Sequence, residues 1–168
     1  MKKLRLILFT ECNRRCRGCC NRDLDIGAIP IAEDFSPYDL IMLTGGEPML
    51  RPDIVRKVIH EIRLRSSAPI YLYTAKTDNP KDLIALLKLI DGICVTIHAK
   101  RDVKDFTIFC NSLMDAGDFS EKSLRLNVFR GISIKDVDTT GWIVKKNISW
   151  IKNAPLPEGE ELLKLGTQ

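Results

Sequence analysis

Short apolar runs alternating with amphipathic helical stripes constrain this chain more than any other feature. Leu4 to Phe9 and Leu40 to Leu43 are compact apolar segments suited to strands buried on both faces. After Pro52, a residue accepted in the first turn of a helix, Val55, Val58, Ile59 and Ile62 recur at helical spacing, with Arg63 and Arg65 at the negative end of the dipole. Pro69 to Thr74 reads as a strand. Asn79 and Pro80 then open a helix with a buried face of Leu83, Leu86, Leu87 and Ile90, which Gly92 is expected to end. Ile93 to Ile97 is the next strand. Phe106, Phe109, Cys110 and Leu113 stripe a third helix that stops near Gly117, and Ser123 to Phe129 is a fifth strand. Strands and helices in this order predict βαβ units and an α/β fold with a parallel sheet.

The array is too short for eight βα units, which need about 250 residues, so an open partial barrel and a doubly wound sheet both remain compatible with it. In either, ligands gather at the carboxyl ends of the strands. Beyond Gly131 the pattern weakens. Trp142 to Ile151 fits a strand or a helix, and the proline-rich stretch Ala154 to Gly159 reads as a surface tail. With 168 residues, 45% hydrophobic and 29% charged, the chain is expected to form a single domain spanning 1–168, and disordered and collagen-like classes are excluded.

A net charge of +4, from 26 Lys+Arg and 22 Asp+Glu, is far below the clustered basic charge that argues for nucleic acid. No apolar run approaches the roughly 20 residues needed to cross a bilayer. Arg5, Glu11 and Arg14 break up the N-terminal apolar run, and no small-residue cleavage site follows it, which argues against a signal peptide. The expected location is therefore the cytoplasm, with no membrane partner. In a reducing compartment clustered cysteines serve as metal ligands or reactive thiols rather than disulfides.

Cys12, Cys16 and Cys19 are spaced CxxxCxxC in the loop that leaves the first strand, within the run CNRRCRGCCN. Such spacing lets one loop wrap a metal centre. Three thiolates suit a 4Fe-4S cube with one open iron, whereas a structural zinc site closes its shell with a fourth ligand, here Cys20, His60 or His98. Arg14, Arg15 and Arg17 stand between the thiols, where positive charge is expected to lower their pKa and offset an anionic cluster. Directly after the second strand comes Thr44, Gly45, Gly46, Glu47 and Pro48, whose glycines allow close approach to the main chain. The same five residues also read as an ordinary strand-to-helix turn.

The CxxxCxxC loop and the TGGEP turn, each following its own strand, together resemble the radical S-adenosylmethionine (radical SAM) superfamily. The resemblance implies a partial (βα)6 barrel. It also implies a 4Fe-4S cluster held by Cys12, Cys16 and Cys19, and S-adenosyl-L-methionine chelated at the open iron and cleaved reductively to a 5′-deoxyadenosyl radical. Such a radical abstracts hydrogen from substrate, making the chain an oxidoreductase that uses an electron donor such as flavodoxin or ferredoxin and a small-molecule or protein substrate. Gly45, Gly46 and Glu47 would then offer backbone acceptors to the methionine ammonium. Thr96 and His98 share one face of the fourth strand, and Arg125 and Asn127 one face of the fifth, placing these four to meet the carboxylate or ribose of the cofactor if that face lines the barrel mouth. Thr74, Ala75 and Lys76 occupy the place of an Asn-Gly turn found in many relatives.

Gly18, Cys19, Cys20 and Asn21 further resemble the anaerobic ribonucleotide reductase activating proteins, which place a radical on a glycine of a partner enzyme. Those activases usually carry a leader ending in a DGPG-like stretch before the first strand, whereas eleven residues precede Cys12 here, so a glycyl-radical activase is expected only as an alternative. A noncatalytic zinc-binding adaptor and an iron-sulfur electron carrier are two others. Cys94 and Cys110, on a strand and on a helix stripe, read as small buried hydrophobes, and Cys20 as packing.

Overall fold

The computed structural model describes residues 1–16, 19, 24–151 and 155–166. Gly18, Cys20 and Asn21, which carry the activase resemblance, and Arg17 lie outside the described residues. The described residues form a seven-stranded sheet: β1 (Lys3–Ile7), β2 (Leu40–Thr44), β3 (Ile70–Thr74), β4 (Gly92–Ile97), β5 (Ser123–Phe129), β6 (Trp142–Ile148) and β7 (Glu160–Lys164). Three α-helices are described: α1 (Pro52–Arg63), α2 (Pro80–Leu87) and α3 (Asp102–Asp115). Every strand pairing is parallel, and the spatial order is β6-β5-β4-β3-β2-β1-β7. From β1 to β6 each strand lies beside its predecessor. With right-handed crossovers, such an order sends every connecting helix to the same face.

Register shows how the sequence builds that face. Leu4 pairs with Ile41 and Leu6 with Leu43, Ile41 with Ile70 and Leu43 with Leu72, while Val95 pairs with Leu126 and Ile97 with Val128. All are fully or almost fully buried and join one core with Val55, Val58, Ile59 and Ile62 of α1, Leu83, Leu86 and Leu87 of α2, and Phe106, Phe109 and Leu113 of α3. Each such side chain contributes about 1.5–3 kcal/mol through burial. Trp142 completes the layer, its ring meeting Phe106 and Phe109 edge-on.

The opposite face is different in kind. Arg5, Tyr71, Tyr73, Cys94, Thr96, Arg125 and Asn127 all project there, and no α-helix among the described residues covers them. The expectation of strands buried on both faces holds at Ile7 of β1 and Met42 of β2, which are 3% and 2% exposed, and fails at Arg5, which alternation puts on the helix-free side, where it pairs with Glu160 of β7. The helix-free face is therefore mixed: Ile7, Met42 and Cys94 are buried there among the polar and aromatic side chains, so it is less apolar than the two-sided burial usual for parallel sheets.

Three further differences from the sequence expectations have simple causes. Gly92 opens β4 instead of ending a helix, because α2 finishes at Leu87 and a Cβ at position 92 would lie 2.7 Å from the Ser123 carbonyl oxygen of the neighbouring strand. The ambiguous Trp142 segment is a strand. The supposed tail continues into β7, which adds to β1 in register from Lys3 with Glu160 to Ile7 with Lys164. Its acidic start hides the strand from a hydrophobicity reading. Among the described residues no helix is long and apolar enough to cross a membrane.

Candidate functional site

A cavity of about 310 Å³ opens at the carboxyl edge of the sheet. Cys12, Cys16, Cys19, Gly45, Gly46, Glu47, Thr96, His98 and Asn127 all line it, so the two sequence motifs and both polar strand ends meet in one place. Arg125 does not line it. Arg5, Arg14, Tyr73, Phe129, Ile148 and Trp150 complete the walls together with Thr44, Thr74 and Ala75.

The glycines of the TGGE turn are there because two loops touch. Gly45 has φ +125, and a Cβ on it would stand 2.4 Å from the Phe9 carbonyl oxygen; one on Gly46 would stand 1.8 Å from that of Glu11. Neither space exists for any side chain. The Gly46 N–H donates to the Phe9 carbonyl (2.7 Å) and the Glu47 N–H to the Glu11 carbonyl (2.8 Å), fastening the turn to the chain just before Cys12. The Glu47 carboxylate, 3% exposed, is turned inward: Oε1 accepts from the Met49 N–H and the Thr74 hydroxyl, and Oε2 from the Ala75 N–H. Its main-chain carbonyl accepts from Leu50. Glu47 therefore clamps the end of β3 to the turn after β2 while lining the cavity together with Gly45 and Gly46.

Arg14 ties the cysteine loop to the far side. Its Nη1 donates to Asp102 Oδ2 (2.8 Å) and its Nη2 to the Ala75 carbonyl (2.7 Å), while its buried Nε has no partner among the described residues. Asp102 also accepts from the His98 and Ala99 N–H groups, each at 3.0 Å, and is held below the ordinary carboxylate range by Arg14 and these donors, against the opposing effect of burial. Asp102 escaped the sequence reading; an acid in the first turn of a helix directly after a candidate site strand is the signal that points to it.

Cys16 Sγ lies 3.7 Å from His98 Nδ1. Burial, then the neighbouring Cys19 and Cys12 thiols, push the Cys16 pKa up, outweighing the downward pull of Arg14. Arg14 thus acts in the expected direction, but the net shift of Cys16 is upward. His98 is pushed down to about 4, by burial first and by Arg14 second, and is a neutral imidazole at neutral pH. Its ring contacts Phe129 edge-on at 4.9 Å and Trp150 at 5.1 Å, and Phe129 and Trp150 lie 4.7 Å apart, forming an aromatic wall.

A bulge builds that wall. Asn127 pairs with Lys145, but Phe129 pairs with Ile148, so β6 carries one extra residue, with Asn147 in the left-handed region at φ 59. The extra residue reverses the alternation and brings Ile148 and Trp150 to the cavity. Nothing in the sequence marks it.

Among the described residues no three His, Cys, Asp or Glu side chains converge closely enough to hold a metal ion. The donor chemistry nonetheless suits a thiophilic centre: three thiols on one loop line one cavity, close enough to perturb one another, beside a guanidinium with an unused N–H. Ligand loops of this kind close around their metal as it binds. No protein-family model, curated protein or solved structure matches the chain.

Proposed function

We propose that this protein is a radical SAM enzyme built on a partial (βα)6 barrel, with Cys12, Cys16 and Cys19 holding a 4Fe-4S cluster. The observation that carries this reading is the meeting of the three thiols and the Gly45-Gly46 turn in one cavity at the carboxyl edge of a parallel sheet. Consecutive strand order and a partly polar, helix-free face support the barrel. When bound, the cluster with S-adenosyl-L-methionine supplies reductive cleavage to methionine and a 5′-deoxyadenosyl radical that takes hydrogen from substrate.

The chain's own residues bind, aim and shield. Arg14 offsets the negative charge of three thiolates, its position fixed by Asp102 and its Nε–H available to a nearby acceptor. With its proton on Nδ1, His98 would donate toward Cys16 Sγ and orient that thiolate if it held the cluster. Gly45 and Gly46 present main chain without side-chain obstruction. The wall of His98, Phe129 and Trp150 gives flat faces for an adenine ring and keeps water from that side. Thr96 and Asn127 offer polar groups lower in the cavity to ribose or carboxylate. An electron carrier such as flavodoxin or ferredoxin would reduce the cluster.

The Cys16 to His98 contact also favours a second reading, in which His98 completes a Cys₃His zinc shell in a noncatalytic adaptor. Oxygen-free purification separates the two. The enzyme reading expects a brown protein that, once reduced, converts S-adenosyl-L-methionine to 5′-deoxyadenosine; a colourless, zinc-loaded protein that loses its metal on His98→Ala substitution supports the adaptor.

A further inference from the structure

Arg125 stands on the helix-free face one step below the cavity. It is two residues before Asn127 on β5, roughly 6.6 Å along a strand, and Asn127 lines the cavity floor while Arg125 does not. Its guanidinium is held in place from two sides. Nε donates to Ser123 Oγ at 3.1 Å, and the Arg125 guanidinium carbon sits 5.3 Å from the centre of the Tyr71 ring. The two strands that bear Arg125 and Tyr71 flank β4, and they meet over Gly92, where a Cβ would come within 3.1 Å of Tyr71 Cε1. The fork is thus oriented before any ligand arrives.

Arg5 shows what distinguishes it. That arginine also lies over a tyrosine, Tyr73, at 5.8 Å, yet it is neutralised by Glu160. Arg125 has no acidic partner among the described residues and is exposed, and across the register from it Ile143 is 64% exposed. A pre-oriented, unneutralised guanidinium beside an apolar side chain and a phenol ring is suited to a phosphate or carboxylate carried on a less polar body.

Resting on the proposed cavity chemistry, we infer that Arg125, stacked on Tyr71, anchors an anionic group of the substrate, whose remainder reaches upward past Asn127 toward the cavity. The substrate class is then a small molecule bearing a phosphate or carboxylate group. Arg125 is a specificity-determining residue in this scheme and takes no part in holding the cluster.

Calorimetric titration of the full chain, purified without oxygen, with inorganic pyrophosphate and separately with succinate at fixed ionic strength tests this. Saturable binding of one of them is expected, weakened at least about tenfold in Arg125→Gln, as loss of a charge-assisted bond requires, and weakened also in Arg125→Lys, which keeps the charge and loses the fork. Preference for pyrophosphate identifies a phosphoester substrate and preference for succinate a carboxylate. Absence of saturable binding by both, or equal binding by wild type and Arg125→Gln, overturns the inference. Iron measured on the same samples separates the two ideas: an iron-free protein that binds the anion through Arg125 sinks the radical reading alone, whereas an iron-loaded protein indifferent to Arg125 sinks only the anchor.

Discussion

Arg14 brings a charge 13% exposed into the site, and Asp102, 5% exposed, is what makes that tolerable. Removing the carboxylate's charge leaves the guanidinium buried and uncompensated, so Asp102→Asn should lower stability by about 3 kcal/mol in urea unfolding at neutral pH. The sign of its pH dependence follows from the depressed pKa of Asp102: its contribution is complete above the ordinary value of 3.8 and is lost as pH falls through the lower folded value. The acid limb of the stability curve should therefore be shallower in the Asn variant. The thiols divide as sharply. Burial pushes Cys94 up to about 11 and Cys110 to about 12, whereas Cys12 is exposed. Iodoacetamide at pH 8 should label Cys12 in the folded, metal-free chain and reach Cys94 and Cys110 only after unfolding; early labelling of Cys110 would contradict the packing of α3. For both buried thiols the raised pKa means stability complete below 9 and lost as pH rises toward those values. At this scale the three cysteines were legible from their close spacing on one loop, while the bond from Arg14 to Asp102 and the Arg5–Tyr73 contact were not, since each joins residues far apart in the sequence.

Elements meet at the site through backbone proximity as much as through side chains. The turn after β2 and the loop after β1 approach so closely that Gly46→Ala must displace the Glu11 carbonyl, and it should cost about 3 kcal/mol, the upper range for overpacking. Gly131→Ala is the comparison, with φ +82 and open space around the new Cβ; left-handed strain alone should cost about 1 kcal/mol there. Equal losses in urea midpoints would deny the loop contact. The helix stripes and the first five strands were readable from periodicity because each presents an apolar face to one core. The bulge in β6 was not, because one extra residue leaves no compositional trace, and with it the aromatic wall of Trp150 stayed hidden. β7 was missed for another reason: an edge strand beginning with two glutamates buries only Leu163 in the core and otherwise relies on pairing with β1.

At the scale of the whole molecule, the α-helices among the described residues cover one side of the sheet, and the cavity at its carboxyl edge is lined by side chains of the other. The alternation in the sequence established the parallel α/β class and the polar pairs on one face of the fourth and fifth strands; it did not show that Arg5 and Tyr73 share that face, since each looks like an isolated exception until register aligns them. The central claim is that three cysteines on one loop hold an iron-sulfur cluster. Iron and inorganic sulfide determined on protein kept free of oxygen test it most directly. About four of each per chain are expected for a cubane cluster, falling to background in Cys16→Ala; zinc in place of iron, or an unchanged iron and sulfide content in Cys16→Ala, would contradict it.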